Sequence, residues 1–191
     1  AKRLLQNLYR LSENEVLTPD LINLHLQESG VAELEGAEGI VEVEDEIAIK
    51  TRRGTVRGRG PNQKQYLRNI ASHAVNFGVG PAGTGKTFCA TAMAAEAFER
   101  RQVDRIIFTR PAVESGETLG FLPGKLQDKL EPWFSTFRSY VNDMLGRGVV
   151  DCALKNERIV FEPLAYMRGK TFEDAFVILD EAQNCTRLQM K

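Results

Sequence analysis

Gly80-Pro81-Ala82-Gly83-Thr84-Gly85-Lys86-Thr87 has the residue types needed to hold a chain of phosphates. The positions fit G-x-x-x-x-G-K-[ST] in full. A loop that wraps phosphates with backbone N–H groups must come close to them, and a β-carbon would block the approach or forbid the dihedrals. A helix starting near Lys86 turns the positive end of its dipole toward the same anion. Lys86 brings a mobile charge for the β- and γ-phosphates, and Thr87 offers a hydroxyl to Mg²⁺. A plain glycine turn at a strand–helix junction is the competing account. The full pattern, with an apolar run before it and a helical pattern after it, weighs against that account.

A metal ion at such a loop needs a carboxylate from another strand. In "AFVILDEAQN", residues 175–179 form an apolar strand with Asp180 and Glu181 at its carboxyl end. Ligands of parallel sheets bind at the carboxyl ends of the strands. Asp180 is therefore expected to contact Mg²⁺ through water. Glu181 is expected to orient and deprotonate the attacking water. An exposed acidic pair closing a strand is the alternative, and it is weak beside the phosphate loop. Upstream, "GRGPNQKQYLRNI" places Gln63 before the loop. A glutamine amide donates to and accepts from an adenine edge at once, which favours ATP over GTP. By spacing, the segment resembles the Q motif of helicase superfamily 1. Gln65 is a substitute for the same role, and a solvated polar turn is the remaining option.

These residues need elements to position them. From Tyr66 onward, strand and helix patterns alternate. "YLRNIASHAV" reads as helix, "VNFGVG" as a short strand, "GKTFCATAMAAEAFERR" as helix and "DRIIFTRP" as a strand ended by Pro111. "KLQDKLEPWFSTFRSYVNDML" then sets Leu126, Leu130, Phe134, Phe137, Val141 and Leu145 along one helical stripe, with a bend expected at Pro132. "RIVFEP" and "AFVILDEAQ" are two further strands. Such alternation implies an α/β fold with a mostly parallel sheet covered on both faces.

The first part of the chain differs. "AKRLLQNLYRL" and "TPDLINLHLQESG" read as helices, the second with Thr18 as cap, Pro19 at its first position and Gly30 past its end. Residues 39–63 suggest short strands about an Arg53-Gly54 turn, or a solvated connector. Residues 1–49 hold three basic and eleven acidic side chains, a net charge of −8. Residues 50–191 hold 22 basic and 15 acidic side chains, a net charge of +7. Seven basic residues and no acid lie between Lys50 and Arg68. That asymmetry points to an anionic partner, with Arg52, Arg53, Arg57 and Arg59 as candidate contacts to RNA phosphates and a solvated hairpin face as the alternative.

Other classes are excluded. No apolar run of about 18 residues is present, so no membrane span is expected. No secretory signal is read at the start of the sequence, which begins at Ala1 and not Met, so removal of an upstream segment is the expectation. Cys89, Cys152 and Cys185 are far apart and fit neither a zinc site nor a disulfide framework.

Five stretches together resemble the PhoH-like ATPases, related to the helicase superfamily 1 core: "KTRRGTVRGRGPNQ", "FGVGPAGTGKT", "TRPAVESGETLGFLPG", "EPLAYMRGKTFEDAFVILDEAQN" and the closing "LQMK". The likeness runs from about Lys50 to the last residue. It implies a cytoplasmic protein that binds and hydrolyses ATP with Mg²⁺, acts in RNA metabolism and in some cases works beside an endoribonuclease. It also implies a RecA-like core, in which a further strand follows the Asp-Glu strand and inserts between it and the phosphate-loop strand. The chain ends ten residues after Glu181, so that strand is expected to be missing. The expected organisation is an acidic helical segment over 1–49, the tail of a larger N-terminal domain; a basic hairpin or linker with the Q-like motif over 50–65; and an ATPase core over 66–191, truncated at its C-terminus. An arginine supplied by a neighbouring subunit is common in such ATPases, which leaves room for a homo-oligomer of the full-length protein. A nucleotide-gated module that binds RNA or a nuclease with little turnover is the second functional expectation.

Overall fold

The computed structural model describes residues 47–111 and 126–190, with scattered positions between 6 and 26. Most of the two expected N-terminal helices, and the segment after Pro111, lie outside the described residues. The described positions Gln6, Leu8, Tyr9, Ser12, Pro19, Ile22, Asn23 and Leu26 are helical. The Ile22 N–H donates to the Thr18 carbonyl at 3.0 Å, as a helix capped at Thr18 with Pro19 next requires. The chain divides into two compact units. One holds Ala1–Ala48 and Val56–Cys89, the other Ile49–Thr55 and Ala90–Lys191.

Strands β1 (Ala48–Thr51) and β2 (Gly54–Arg57) pair as the expected hairpin. Gly54, at φ +137°, takes a conformation that side chains avoid, and its carbonyl accepts the Thr51 hydroxyl at 2.8 Å. Helix α1 (Pro61–Ser72) follows. Pro61 suits the first turn because its missing N–H would have no helical partner there. A β-carbon on Gly58 would lie 2.8 Å from the Lys64 backbone nitrogen, so only glycine lets the chain pass this closely over α1. Helix α2 (Lys86–Glu99) starts directly after the glycine loop, and its first-turn bond runs from the Cys89 N–H to the Gly85 carbonyl at 2.9 Å.

One expectation fails here. Residues 75–80, read as a strand, form none. A strand exists through hydrogen bonds to a neighbour, and among the described residues no strand pairs with this segment. Its apolar side chains are left exposed, Val79 at 91%.

In the second unit, β3 (Arg105–Arg110), β4 (Ile159–Pro163) and β5 (Ala175–Leu179) form a parallel sheet in the order β4-β3-β5. This order is consistent with a RecA-like core. Ile106, Ile107 and Phe108 are fully covered, as a central parallel strand demands. Register sets Phe108 beside Phe161 on one side and Ile178 on the other. Helix α3 (Leu126–Leu145) runs unbroken through Pro132. It buries Phe134, Phe137, Val141 and Leu145, the last four positions of the anticipated stripe. Phe137 meets Phe108 with ring centroids 4.7 Å apart, and Phe134 meets Phe161 at 5.7 Å. Burial of each such ring contributes roughly 1.5–3 kcal/mol. Helix α4 (Arg147–Lys155), absent from the sequence reading, buries Val150 and Ala153. Gly146, at φ +84°, makes the sharp turn between α3 and α4.

Candidate functional site

The glycine loop is closed by its own lysine. Lys86 Nζ donates to the Gly80 carbonyl at 2.7 Å and the Pro81 carbonyl at 2.6 Å, and lies 3.4 Å from Thr84 Oγ1. Thr84 Oγ1 in turn donates to the Pro81 carbonyl at 2.9 Å. The curl depends on Gly83 at φ +78° and Gly85 at φ +80°, both in the region glycine alone enters freely. Pro81, Ala82 and Gly83 are exposed, while Gly85, Lys86 and Thr87 are half-buried at the start of α2. The loop thus gathers an ammonium group, a helix N-terminus and exposed backbone. That donor set fits a phosphate chain.

Helix α1 braces this loop. Gln63 Nε2 donates to the Thr84 carbonyl at 2.9 Å, and Gln63 Oε1 accepts the Arg59 N–H at 2.9 Å. The amide expected to read adenine is bonded at both ends within the protein. Gln65, the substitute, donates instead to Asn69 Oδ1 on its own helix at 2.8 Å. One helical turn after Gln63, Tyr66 lies beside the exposed Gly78, where a β-carbon would meet the phenol oxygen at 2.8 Å. Tyr66 was not foreseen as a loop-supporting residue; its i, i+3 spacing from Gln63 was the available signal.

The second group of expected residues lies at the carboxyl end of β5. The Asp180 N–H donates to the Thr109 carbonyl at 2.9 Å, which extends the ladder to β3 by one residue. Glu181 follows at φ +53°, a left-handed conformation costing a non-glycine residue about 1 kcal/mol. That reversal opens the 3₁₀ turn Ala182–Asn184 and is fixed by the Asn184 N–H on the Glu181 carbonyl at 2.9 Å. Arg110, at the end of β3, approaches both acids: Nε is 3.9 Å from Asp180 Oδ2 and Nη2 is 3.9 Å from Glu181 Oε1. Gln183 Nε2 donates to Glu181 Oε2. Arg110 was missed from sequence, although it ends the strand whose neighbour carries the acids. Among the described residues, no group of three or more His, Cys, Asp or Glu could hold a metal alone. Mg²⁺ at nucleotide sites takes one or two carboxylates and completes its shell with phosphates and water, so Asp180 and Thr87 are of the right type. Thr87 belongs to the first unit and Asp180 to the second.

The basic stretch divides. The Arg52 N–H donates to the Met144 carbonyl at 3.0 Å near the end of α3, and the Arg52 guanidinium lies against Gly146. Arg53 Nη1 pairs with Asp143 Oδ2 at 2.9 Å. Arg57 and Arg59 are exposed and belong to the first unit. Among the described residues, no helix is long and apolar enough to cross a membrane.

Comparison with known proteins joins these features. The family model described as PhoH-like protein matches residues 55–191, from the hairpin to the end of the chain. The chain belongs to the PhoH family. It is 49% identical over 146 residues to a PhoH-like protein of Mycobacterium tuberculosis, covering 76% of this chain and 42% of that one. A PhoH-like protein of Synechocystis is 42% identical over 185 residues, covering 96% of this chain and 55% of its own. Protein PhoH of Escherichia coli K12 is 45% identical over 138 residues, covering 71% of this chain and 39% of its own. The chain spans about half the length of these PhoH relatives.

Proposed function

We propose that this chain carries the nucleotide-handling part of a Mg²⁺-dependent ATPase of the PhoH family that acts in RNA metabolism in the cytoplasm. The observation that carries the proposal is the Gly80–Thr87 curl, in which Lys86 Nζ rests on loop carbonyls at 2.6 and 2.7 Å. Those weak internal acceptors are ones a triphosphate would replace with stronger, charged oxygens. Gly80, Pro81, Ala82, Gly83, Thr84 and Gly85 supply the wrapping backbone, and Lys86 the charge on the β- and γ-phosphates. Thr87 would hold Mg²⁺ through its hydroxyl and Asp180 through water, and Glu181 would take the proton of the attacking water. Mg²⁺ supplies charge neutralisation on the phosphate oxygens. Arg57 and Arg59, both exposed, are the proposed contacts to RNA phosphates; the Arg52 guanidinium lies against Gly146 and Arg53 pairs with Asp143.

The test is steady-state phosphate release by the full-length protein, with and without RNA, for wild type and Lys86→Ala. The expected result is RNA-stimulated release in wild type and loss of ATP binding in Lys86→Ala. Equal binding of a fluorescent ATP analogue to both proteins would overturn the proposal. The second reading is a nucleotide-gated module that contacts RNA or an endoribonuclease without appreciable turnover, within a homo-oligomer or alone. It is favoured by the Gln183 amide on Glu181 and the nearby Arg110, which occupy the carboxylate assigned as base. ATP binding without phosphate release under any RNA condition would select it.

A further inference from the structure

We infer that Gln63 is a positioning residue of the phosphate loop, acting on the triphosphate of any nucleotide rather than on the base; the inference rests on the nucleotide reading above. Hydrogen-bond chemistry fixes the amide's orientation. The Arg59 N–H can only donate, so it selects Oε1, and the Thr84 carbonyl can only accept, so it selects Nε2. The first bond finishes the start of α1, in the manner of a glutamine at the third helical position reaching back past the cap. With one end anchored there, the other end holds the Thr84–Gly85 peptide.

The consequence follows from peptide planarity. No peptide bond in the described residues is cis, so the Thr84 carbonyl and the Gly85 N–H point to opposite sides. Drawing the carbonyl onto Gln63 turns the Gly85 N–H away from α1, where a wrapping loop needs its donors. The fit is close on the helix side as well. A β-carbon on Gly85 would lie 3.0 Å from Gln63 Nε2, so the side chain lies against the loop backbone. Tyr66, on the same face of α1, lies beside Gly78 at the entry to the loop. Gln63 keeps one N–H and one lone pair uncommitted by these bonds, so a base contact is the rival account, and the two accounts differ in what they weaken.

The experiment measures binding of ATP, GTP and inorganic tripolyphosphate to the full-length protein, wild type and Gln63→Ala. Loss of one positioning bond should weaken all three ligands equally, by about 10-fold, leaving the ATP-to-GTP ratio unchanged. Gln63→Glu adds a readout that a general packing defect would not give. As a carboxylate it has no donor for the Thr84 carbonyl; as a carboxylic acid it donates and accepts like the amide. Its affinity for tripolyphosphate, relative to wild type at the same pH, should recover as pH falls from about 8 to about 5, toward the carboxyl range. Weakening of ATP alone would make Gln63 a base reader and overturn the inference. Equal weakening without low-pH recovery in Gln63→Glu would overturn it in favour of a purely structural role. A wild-type protein that binds none of the three ligands would instead defeat the nucleotide reading beneath it.

Discussion

In the glycine loop, the working groups come from consecutive residues braced by one neighbouring helix. At the end of β5 they come from separate strands: Arg110 closes β3, and Asp180 and Glu181 follow β5. Lys86 reaches its carbonyl partners within the loop at 2.6 and 2.7 Å, whereas Arg110 stands 3.9 Å from each acid. The loop holds its shape through glycine dihedrals and short local bonds. The acidic end holds its shape through strand register, Thr109 opposite Leu179, and through a loose arginine between two carboxylates. A loop built this way is sensitive to what touches its backbone. An acid pair built this way can exchange its cation, and is sensitive to charge.

The largest expected effect would break that division outright. Glu181→Gln should leave ATP binding intact and lower turnover by about 100-fold or more, the range of general base catalysis. Lys86→Ala should do the reverse and abolish binding. If Glu181→Gln abolishes binding in an equilibrium measurement, the acidic end is part of the binding structure and the contrast fails.

Gly58→Ala sharpens the local half of the comparison. Its β-carbon would press on the Lys64 backbone at 2.8 Å, and backbone cannot move aside cheaply. A loss of about 1–3 kcal/mol in thermal or denaturant unfolding is expected, with weakened nucleotide binding. Unchanged stability would mean that α1 does not need this close approach.

The basic stretch follows the same line. Glutamate at Arg57 and Arg59 should lower RNA affinity and flatten its salt dependence by about 0.7 log units per decade of salt for each lost contact. Glutamate at Arg52 and Arg53 should instead lower stability, by removing the Arg52 guanidinium from Gly146 and reversing the charge of the Arg53 partner of Asp143, while the Arg52 N–H bond to Met144 stays. Filter binding across a salt series, beside a melting curve, separates the two pairs. An unchanged salt slope in Arg57→Glu/Arg59→Glu would remove RNA contact from this stretch.

The smallest expected effect concerns turnover by the isolated 191-residue chain. Val75, Phe77 and Val79 are exposed, and β5 pairs on one side only among the described residues. Such edges invite association, so aggregation and weak phosphate release are expected. Robust release by a monomer would show that no further strand is needed to complete the acidic end.

The geometry of the glycine loop and of the acidic strand end was legible because it is written locally. The loop carries its dihedral requirements in Gly83 and Gly85 and its charge in Lys86, and the β5 strand announces Asp180 by a run of five apolar residues. The parallel sheet and the α3 stripe followed from periodicity. What escaped was non-local or depended on a neighbour. Residues 75–80 have the composition of a strand, but composition supplies no hydrogen-bonding partner. Arg110 acquires its place only through the register of β3 against β5. Gln63 was read as an adenine contact from its residue type and spacing, which carry no information about the Thr84 carbonyl that it meets in the structure. Helix α4 was not read from the sequence; Gly146, at φ +84°, separates it from α3, and its short length gives little periodic signal.

Cys89, three residues beyond Lys86, is buried, and burial pushes its thiol up to about 11. A covered, protonated sulfur does not attack alkylating reagents, so it reacts only when the first turn of α2 opens. Cys152, on α4, is exposed. The unaltered protein therefore contains a stopwatch and its reference: the ratio of the two labelling rates counts how often the helix behind the loop unfastens. Whatever settles into that loop should slow the Cys89 clock and leave the Cys152 clock running.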